Sequence, residues 1–186
     1  MKIPEDQIQN ELLRKYKPLT IESGITTFPF SDLSDREFEL LSYLLIKEKI
    51  ETDSFGNHSD ITLMQGVAER GRDCVLYQNG AVSGLIQCKK YQARFTKPQF
   101  LKELIKFALF AIKDPEILPN RENFEYNLFV SYDITEPTLM LIMSFKSEIE
   151  KEISNNVISK YADEVINEYE SFNAFTANPP TQDVND

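Results

Sequence analysis

The spacing of apolar positions changes several times along the chain, and each change marks an element. Residues 4 to 17 suit a short helix; TIESGITTFPFSD, broken by Gly24 and Pro29, then reads as extended chain or loop. A capping box follows at S-D-R-E, where the Ser34 hydroxyl can accept an early backbone N–H while Glu37 reaches back. Phe38, Leu41 and Leu45 predict the buried stripe of the helix that begins there. The turn-rich DSFGNHSD, residues 53 to 60, separates this helix from ITLMQGVAE, which has the β-branched and apolar content of a strand.

Residues 71 to 91, GRDCVLYQNGAVSGLIQCKKY, predict a hairpin in which DCVLY and VSGLIQCK are joined around Asn79-Gly80, a pair that tolerates positive φ. Alternation puts Ile86 and Cys88 on one face of the second strand and Gln87 and Lys89 on the other. For Asp73 to share the face of Gln87, paired residue numbers must sum to an even value. A two-residue Asn-Gly loop pairing Gln78 with Ala81 gives an odd sum and sends Asp73 to the wrong side. A convergence of Asp73 with Gln87 therefore requires an odd-length loop or a bulge. The even register would also set Cys74 and Cys88 together on one apolar face, as small hydrophobes rather than redox partners.

A second capped helix is predicted from T-K-P-Q, Thr96 to Gln99, with Leu101, Leu104, Ile105, Ala108 and Ile112 on its buried face and Lys102 and Lys106 on the other. After DPEILPNREN, the run YNLFVSY has the continuous apolar character of a strand buried on both faces. Residues 146 to 172 carry Ile149, Ile153, Val157, Tyr161 and Val165 at four-residue spacing and read as one helix. ANPPTQDVND reads as a disordered tail or linker.

Composition narrows the function classes. The chain has 186 residues, 41% hydrophobic and 27% charged, the make-up of a globular domain with one sizeable core. MKIPEDQIQN has no apolar signal-peptide region, and runs such as FALFAI fall far short of a membrane span, so a soluble, cytoplasmic protein without membrane association is expected. Two cysteines and one histidine cannot furnish a four-ligand zinc site, and His58, in a polar loop, reads as a surface residue. A net charge of -10 argues against a protein that coats nucleic acid non-specifically. The charge is nevertheless segregated: Lys89, Lys90, Arg94, Lys97, Lys102 and Lys106 stand within one short stretch against Glu103 alone.

Phosphodiester hydrolysis needs a divalent metal to stabilise oxyanion charge, oxygen donors to hold it, and a cation to orient or activate water. Asp73, Gln87 and Lys89 are residues of those kinds. An aspartate on one strand and Q-x-K at the end of the next, after a helix bearing Phe38-Glu39, resembles the PD-(D/E)XK nuclease superfamily, and within it the Mrr-type restriction endonucleases. The resemblance spans roughly Phe38 to Tyr132. It implies an α/β fold with a restriction-endonuclease-like mixed central sheet flanked by helices, an αβββαβ core, and an extra C-terminal helix. The corresponding organisation is a leader (1–33) packing on the domain, a nuclease core (34–135), a helical extension (136–175) and a tail or linker (176–186).

Carried over position by position, the resemblance makes Asp73 the principal metal ligand and Gln87 the second, with the Cys88 carbonyl joining them. Lys89 would position water and stabilise the transition state, and Glu39 would be the helix acid near the metal; Glu37, Glu48 and Glu51 are other glutamates of the same region. Lys90, Tyr91, Arg94 and Lys97 would grip the phosphate backbone. The glycine-rich run that often precedes the aspartate in Mrr-type proteins is replaced here by GVAERGRD. The implied activity is a Mg2+-dependent endonuclease, with Mn2+ able to substitute, acting on double-stranded DNA in restriction or anti-phage defence. It would work as a homo-oligomer under a regulatory sensor or nucleotide-hydrolysing module. A non-catalytic protein-interaction module on the same fold, and a nuclease acting on RNA or single-stranded DNA, are the alternatives.

Overall fold

The structure, a computed structural model, describes residues 2–13, 30–65 and 70–175. It is mixed α/β and divides into two compact units: Met1–Gln92 with Glu122–Ser131, and Ala93–Arg121 with Tyr132–Asp186. The division falls at Gln92, earlier in the chain than the boundary near 135 expected from sequence, and it assigns the helix after Thr96 to the second unit.

The first unit is built on a four-stranded mixed sheet in the order β1-β2-β3-β4, comprising β1 (Asp60–Leu63), β2 (Cys74–Gln78), β3 (Ala81–Lys89) and β4 (Glu125–Val130). The first three strands are antiparallel neighbours, and β4 runs parallel to β3, with Gln87 opposite Leu128 and Lys89 opposite Val130. Helices α1 (Glu5–Leu13) and α2 (Asp35–Glu51) supply Ile8, Leu40, Tyr43 and Ile46 to a core shared with Ile61, Leu63, Cys74, Leu76 and Ile86. Burying side chains of this size contributes about 1.5–3 kcal/mol each before conformational entropy is set against it. The chain before α1 is tied in as well, since the Ile3 N–H donates to the Leu63 carbonyl at 3.1 Å.

Local chemistry accounts for the element ends. Ser34 and Glu37 form the expected capping box, the Glu37 N–H donating to Ser34 Oγ at 3.3 Å and the Ser34 N–H to Glu37 Oε2 at 2.6 Å. The α2 stripe differs from the expectation: Phe38, Leu40, Tyr43 and Ile46 are buried and Leu45 is exposed. The buried arc of α2 runs from Phe38 through Ile46 and Tyr43 round to Leu40, and Leu45 falls just outside its edge and stays in water.

The second unit is helical, with α3 (Lys97–Lys113), α4 (Glu136–Met143), α5 (Phe145–Ser154) and α6 (Val157–Glu168). Leu101, Ile105, Leu109, Leu141, Ile158, Val165 and Phe172 make its core. The single helix expected over 146–172 is two helices, because Asn156 takes a left-handed conformation at φ 59° between them. The stripe from Ile149 to Val165 still faces the core on both pieces. A further correction concerns β4: it lies at an edge of the described sheet with half-buried residues, so an apolar run there does not mean burial on both faces. Part of ITLMQGVAE forms β1, while residues 14–29, 66–69 and 176–186, on which the loop, strand-end and tail readings fell, lie outside the described residues.

Candidate functional site

The parity problem posed by the hairpin is resolved by a bulge. Asn79 and Gly80, at φ 52° and 82°, form the two-residue turn, and Gln78 pairs with Ala81 and Tyr77 with Val82 in the odd register. Between Leu76 and Tyr77 the register shifts, so that Leu76 pairs with Gly84, Val75 with Leu85 and Cys74 with Ile86. Ser83 is the extra residue. Beyond it the sums are even as far as the last pair, Cys74 with Ile86, which sets Cys74 and Cys88 against the α2 core and, by alternation, puts Asp73 on the face of Gln87.

Asp73 is held by its main chain on both sides: its N–H donates to the Ile86 carbonyl at 3.0 Å and its own carbonyl accepts from Met64 N–H at 2.8 Å. Its carboxylate is buried and Oδ2 accepts the Cys88 N–H at 2.5 Å. The carboxylate thus bridges the start of β2 to the end of β3. Gln87 is buried, and its Oε1 accepts the Tyr126 hydroxyl from β4. Above it, Gly71 stands at φ +75°, and a Cβ there would come within 3.4 Å of Gln87 Nε2.

Lys89 is half-buried at the end of β3. Ser131, buried at the end of β4, fixes the chain around it: its N–H donates to the Lys89 carbonyl at 3.1 Å, its hydroxyl donates to the Tyr91 carbonyl at 3.1 Å, and it accepts the Tyr91 N–H at 2.8 Å. Glu39 enters from α2, where its carboxylate takes Arg36 Nη1 at 3.0 Å. Arg36 also binds Glu11 at 3.1 Å, and its Nη2 is buried with no hydrogen-bond partner among the described residues. A buried donor left unpaired costs about 1–3 kcal/mol.

The Cys88 thiol reports how these charges converge. Burial pushes its pKa up to about 12, a hydrogen bond with Ser42 opposes that rise, the negative charges of Asp73 and Glu39 add to it, and the positive charge of Lys89 opposes it. Cys74 is raised as well, chiefly by burial, with Asp73 and Glu39 again contributing. Both thiols therefore stay protonated at neutral pH, as packing groups of the α2 face.

Asp73, Gln87, Cys88, Lys89 and Glu39 thus belong to one neighbourhood of the first unit. Lys90 and Tyr91 continue from it, whereas Arg94 and Lys97 belong to the second unit, where Arg94 pairs with Asp133 at 3.3 Å and Lys97 binds the buried Glu152. Lys102 is similarly joined to Glu164 at 2.6 Å. Much of the basic stretch therefore holds the helical unit together.

For a divalent metal the facing ends of β2 and β3 offer one carboxylate, one amide oxygen and one main-chain carbonyl, with Glu39 a further carboxylate on α2. No group of three or more His, Cys, Asp or Glu residues arranged to hold a metal occurs among the described residues. This donor set suits a hard, oxygen-seeking ion that retains water, such as Mg2+, better than zinc. Tyr126, Ser131, Ser42 and Arg36 were not foreseen; the first three act through contacts between residues remote in sequence, which no local pattern announces, while Arg36 pairs with Glu39 at the i,i+3 spacing of one helix, a signal the sequence carried. No helix among the described residues is long and apolar enough to cross a membrane. No family model, curated protein or solved structure matches the chain.

Proposed function

We propose that the first unit is a metal-dependent endonuclease site of PD-(D/E)XK type, of the Mrr-like kind, acting on double-stranded DNA. The observation that carries this reading is the bulge at Ser83, because it gives the even register without which Asp73 and Gln87 would face opposite sides of the sheet. Asp73, the Gln87 amide oxygen and the Cys88 carbonyl would hold Mg2+ or Mn2+. The bound ion would supply Lewis-acid stabilisation of the charge that develops on the phosphate oxygens.

Within this reading each side chain has a separate task. The Asp73 carboxylate is aimed by the Cys88 N–H and the Gln87 amide by the Tyr126 hydroxyl, so neither needs to reorganise when charge appears. Lys89 carries its ammonium on the same strand face as Gln87, suited to orienting water and offsetting negative charge. Glu39 brings a second carboxylate from α2, with Arg36 setting its direction. Lys90 and Tyr91 are the phosphate contacts nearest in the chain. Cutting both strands needs two such sites, so the working form is an assembly of at least two copies, in restriction or anti-phage defence under a sensor or nucleotide-hydrolysing partner.

A second reading, a protein-interaction module, is favoured by one feature of the helical unit: Leu139, Met140, Ile142, Met143 and Phe145 are exposed in and just after α4. Supercoiled plasmid incubated with Mg2+ or Mn2+ separates the two. Nicking or linearisation is expected, abolished by chelator and reduced roughly a hundredfold or more in Lys89→Ala. A purified chain that binds neither ion and cuts no DNA, with or without assembly, supports the interaction module.

A further inference from the structure

His58, Ser83 and Glu125 form a connected trio in the first unit, away from the residues assigned above. His58 and Ser83 are buried, against the expectation of a surface histidine. His58 Nδ1 lies 2.9 Å from Ser83 Oγ, and Nε2 lies 3.0 Å from Glu125 Oε2. A carboxylate only accepts, so Nε2 carries the proton, and in the neutral ring Nδ1 accepts the Ser83 hydroxyl. Hydroxyl, imidazole and carboxylate in a row are the groups of nucleophilic hydrolases. With both Ser83 and His58 buried, however, the hydroxyl is not presented to a substrate.

What sets the trio apart is its location. Ser83 is the unpaired residue of the bulge, and Glu125 is the first residue of β4, paired with Gly84 directly after it. Gly84 is needed there because a Cβ would stand 2.6 Å from the Glu125 carbonyl oxygen, so β4 closes on β3 right beside the bulge. The neighbour of His58, Ser59, grips the opposite strand: its N–H donates to the Tyr77 carbonyl at 2.7 Å, and its hydroxyl accepts the Asn79 N–H at 3.0 Å. Tyr77 is the last residue of the odd register. The His58-Ser59 pair therefore holds both strands at the point where the register changes.

We propose that Ser83, His58 and Glu125 are a register lock, positioning residues whose task is to hold the bulge and so keep Asp73 on the face of Gln87, with its carboxylate on the Cys88 N–H. A hairpin with a two-residue turn has a competing arrangement, the undisturbed ladder, in which the odd sum continues and Asp73 leaves the face of Gln87. The bulge leaves one residue without ladder partners, and the imidazole compensates by binding its side chain and joining it to β4. The functional consequence rests on the proposed metal-holding role of Asp73 and Gln87; the structural part stands on the strand register alone.

Amide hydrogen exchange on the full chain, read residue by residue by NMR, tests the lock. The reporter is the Cys88 N–H, which is bonded to Asp73 Oδ2 only in the even register; the amides of α2 report general stability. In His58→Ala the Cys88 amide is expected to exchange at least about tenfold faster while the α2 amides keep their protection. Ser83→Ala, which removes one hydroxyl, is expected to act in the same direction and serves if the histidine variant does not fold. Equal acceleration at Cys88 and in α2, or no change at Cys88, overturns the lock. Plasmid cleavage and metal binding by the same samples keep the two ideas apart: a wild-type chain that binds neither Mg2+ nor Mn2+ and does not cut, with selective Cys88 exposure in the variants, refutes the nuclease reading and supports the lock.

Discussion

Gly71 is a residue at which backbone conformation and the candidate site meet. It stands at φ +75°, where any L side chain is strained, and a Cβ there would touch Gln87 Nε2 at 3.4 Å. Gly80, at φ +82° in the hairpin turn, carries the same conformational demand with nothing within 4 Å of its Cβ position. Alanine at either position should cost about 1–2 kcal/mol in urea denaturation. Only Gly71→Ala should also reduce metal-dependent cleavage, because only there does the added methyl reach a site residue. Equal activity in the two variants would remove Gly71 from the site. In the sequence Gly71 stands only within the GVAERGRD run before Asp73, and its contact with Gln87 joins residues 16 apart, which no local pattern shows.

Elements show where periodic reading succeeds and where it stops. The four-residue stripe from Ile149 to Val165 was legible and does face the core, yet the helix it suggested is interrupted at Asn156. Asparagine tolerates the left-handed conformation better than most residues, so the interruption has a local cause that a hydrophobic pattern does not weigh. Asn156→Ala should destabilise the chain by about 1 kcal/mol and Asn156→Gly should leave it unchanged or slightly stabler, measured by urea denaturation. Loss of stability in both would show that the asparagine side chain, rather than its φ angle, holds the break. The bulge at Ser83 is the counterpart in the sheet: parity arithmetic on the sequence demanded an irregularity, and the place it occupies follows from His58, Gly84 and β4.

At the scale of the whole molecule, charge is distributed differently from its reading along the chain. The basic stretch from Lys89 to Lys106 suggested a strip for phosphate, but Arg94, Lys97 and Lys102 each face a carboxylate of the helical unit. Lys97→Ala leaves the buried Glu152 without its cation and should cost about 2 kcal/mol of stability. Lys90→Ala should leave stability unchanged and, if it contacts phosphate, lower the slope of log affinity for DNA against log salt by about 1. Denaturation together with a salt series distinguishes them; a Lys97→Ala chain of wild-type stability and altered salt slope would return that lysine to the DNA surface.

The sequence by itself determined the capped starts of α2 and α3, the Asn79-Gly80 turn, the α/β class and the condition that an odd-length loop or a bulge must exist for Asp73 to share the face of Gln87. These follow from hydrogen bonds and side-chain periods that act over a few residues. Tertiary structure alone decided that the bulge falls at Ser83, that His58 is buried against it, that Tyr126 and Ser131 aim Gln87 and anchor the chain around Lys89, and that the basic stretch is divided between two units. Each of those depends on β4 returning beside β3 or on helices meeting across a core, contacts whose partners lie tens of residues apart and whose energies exist only once the chain has folded.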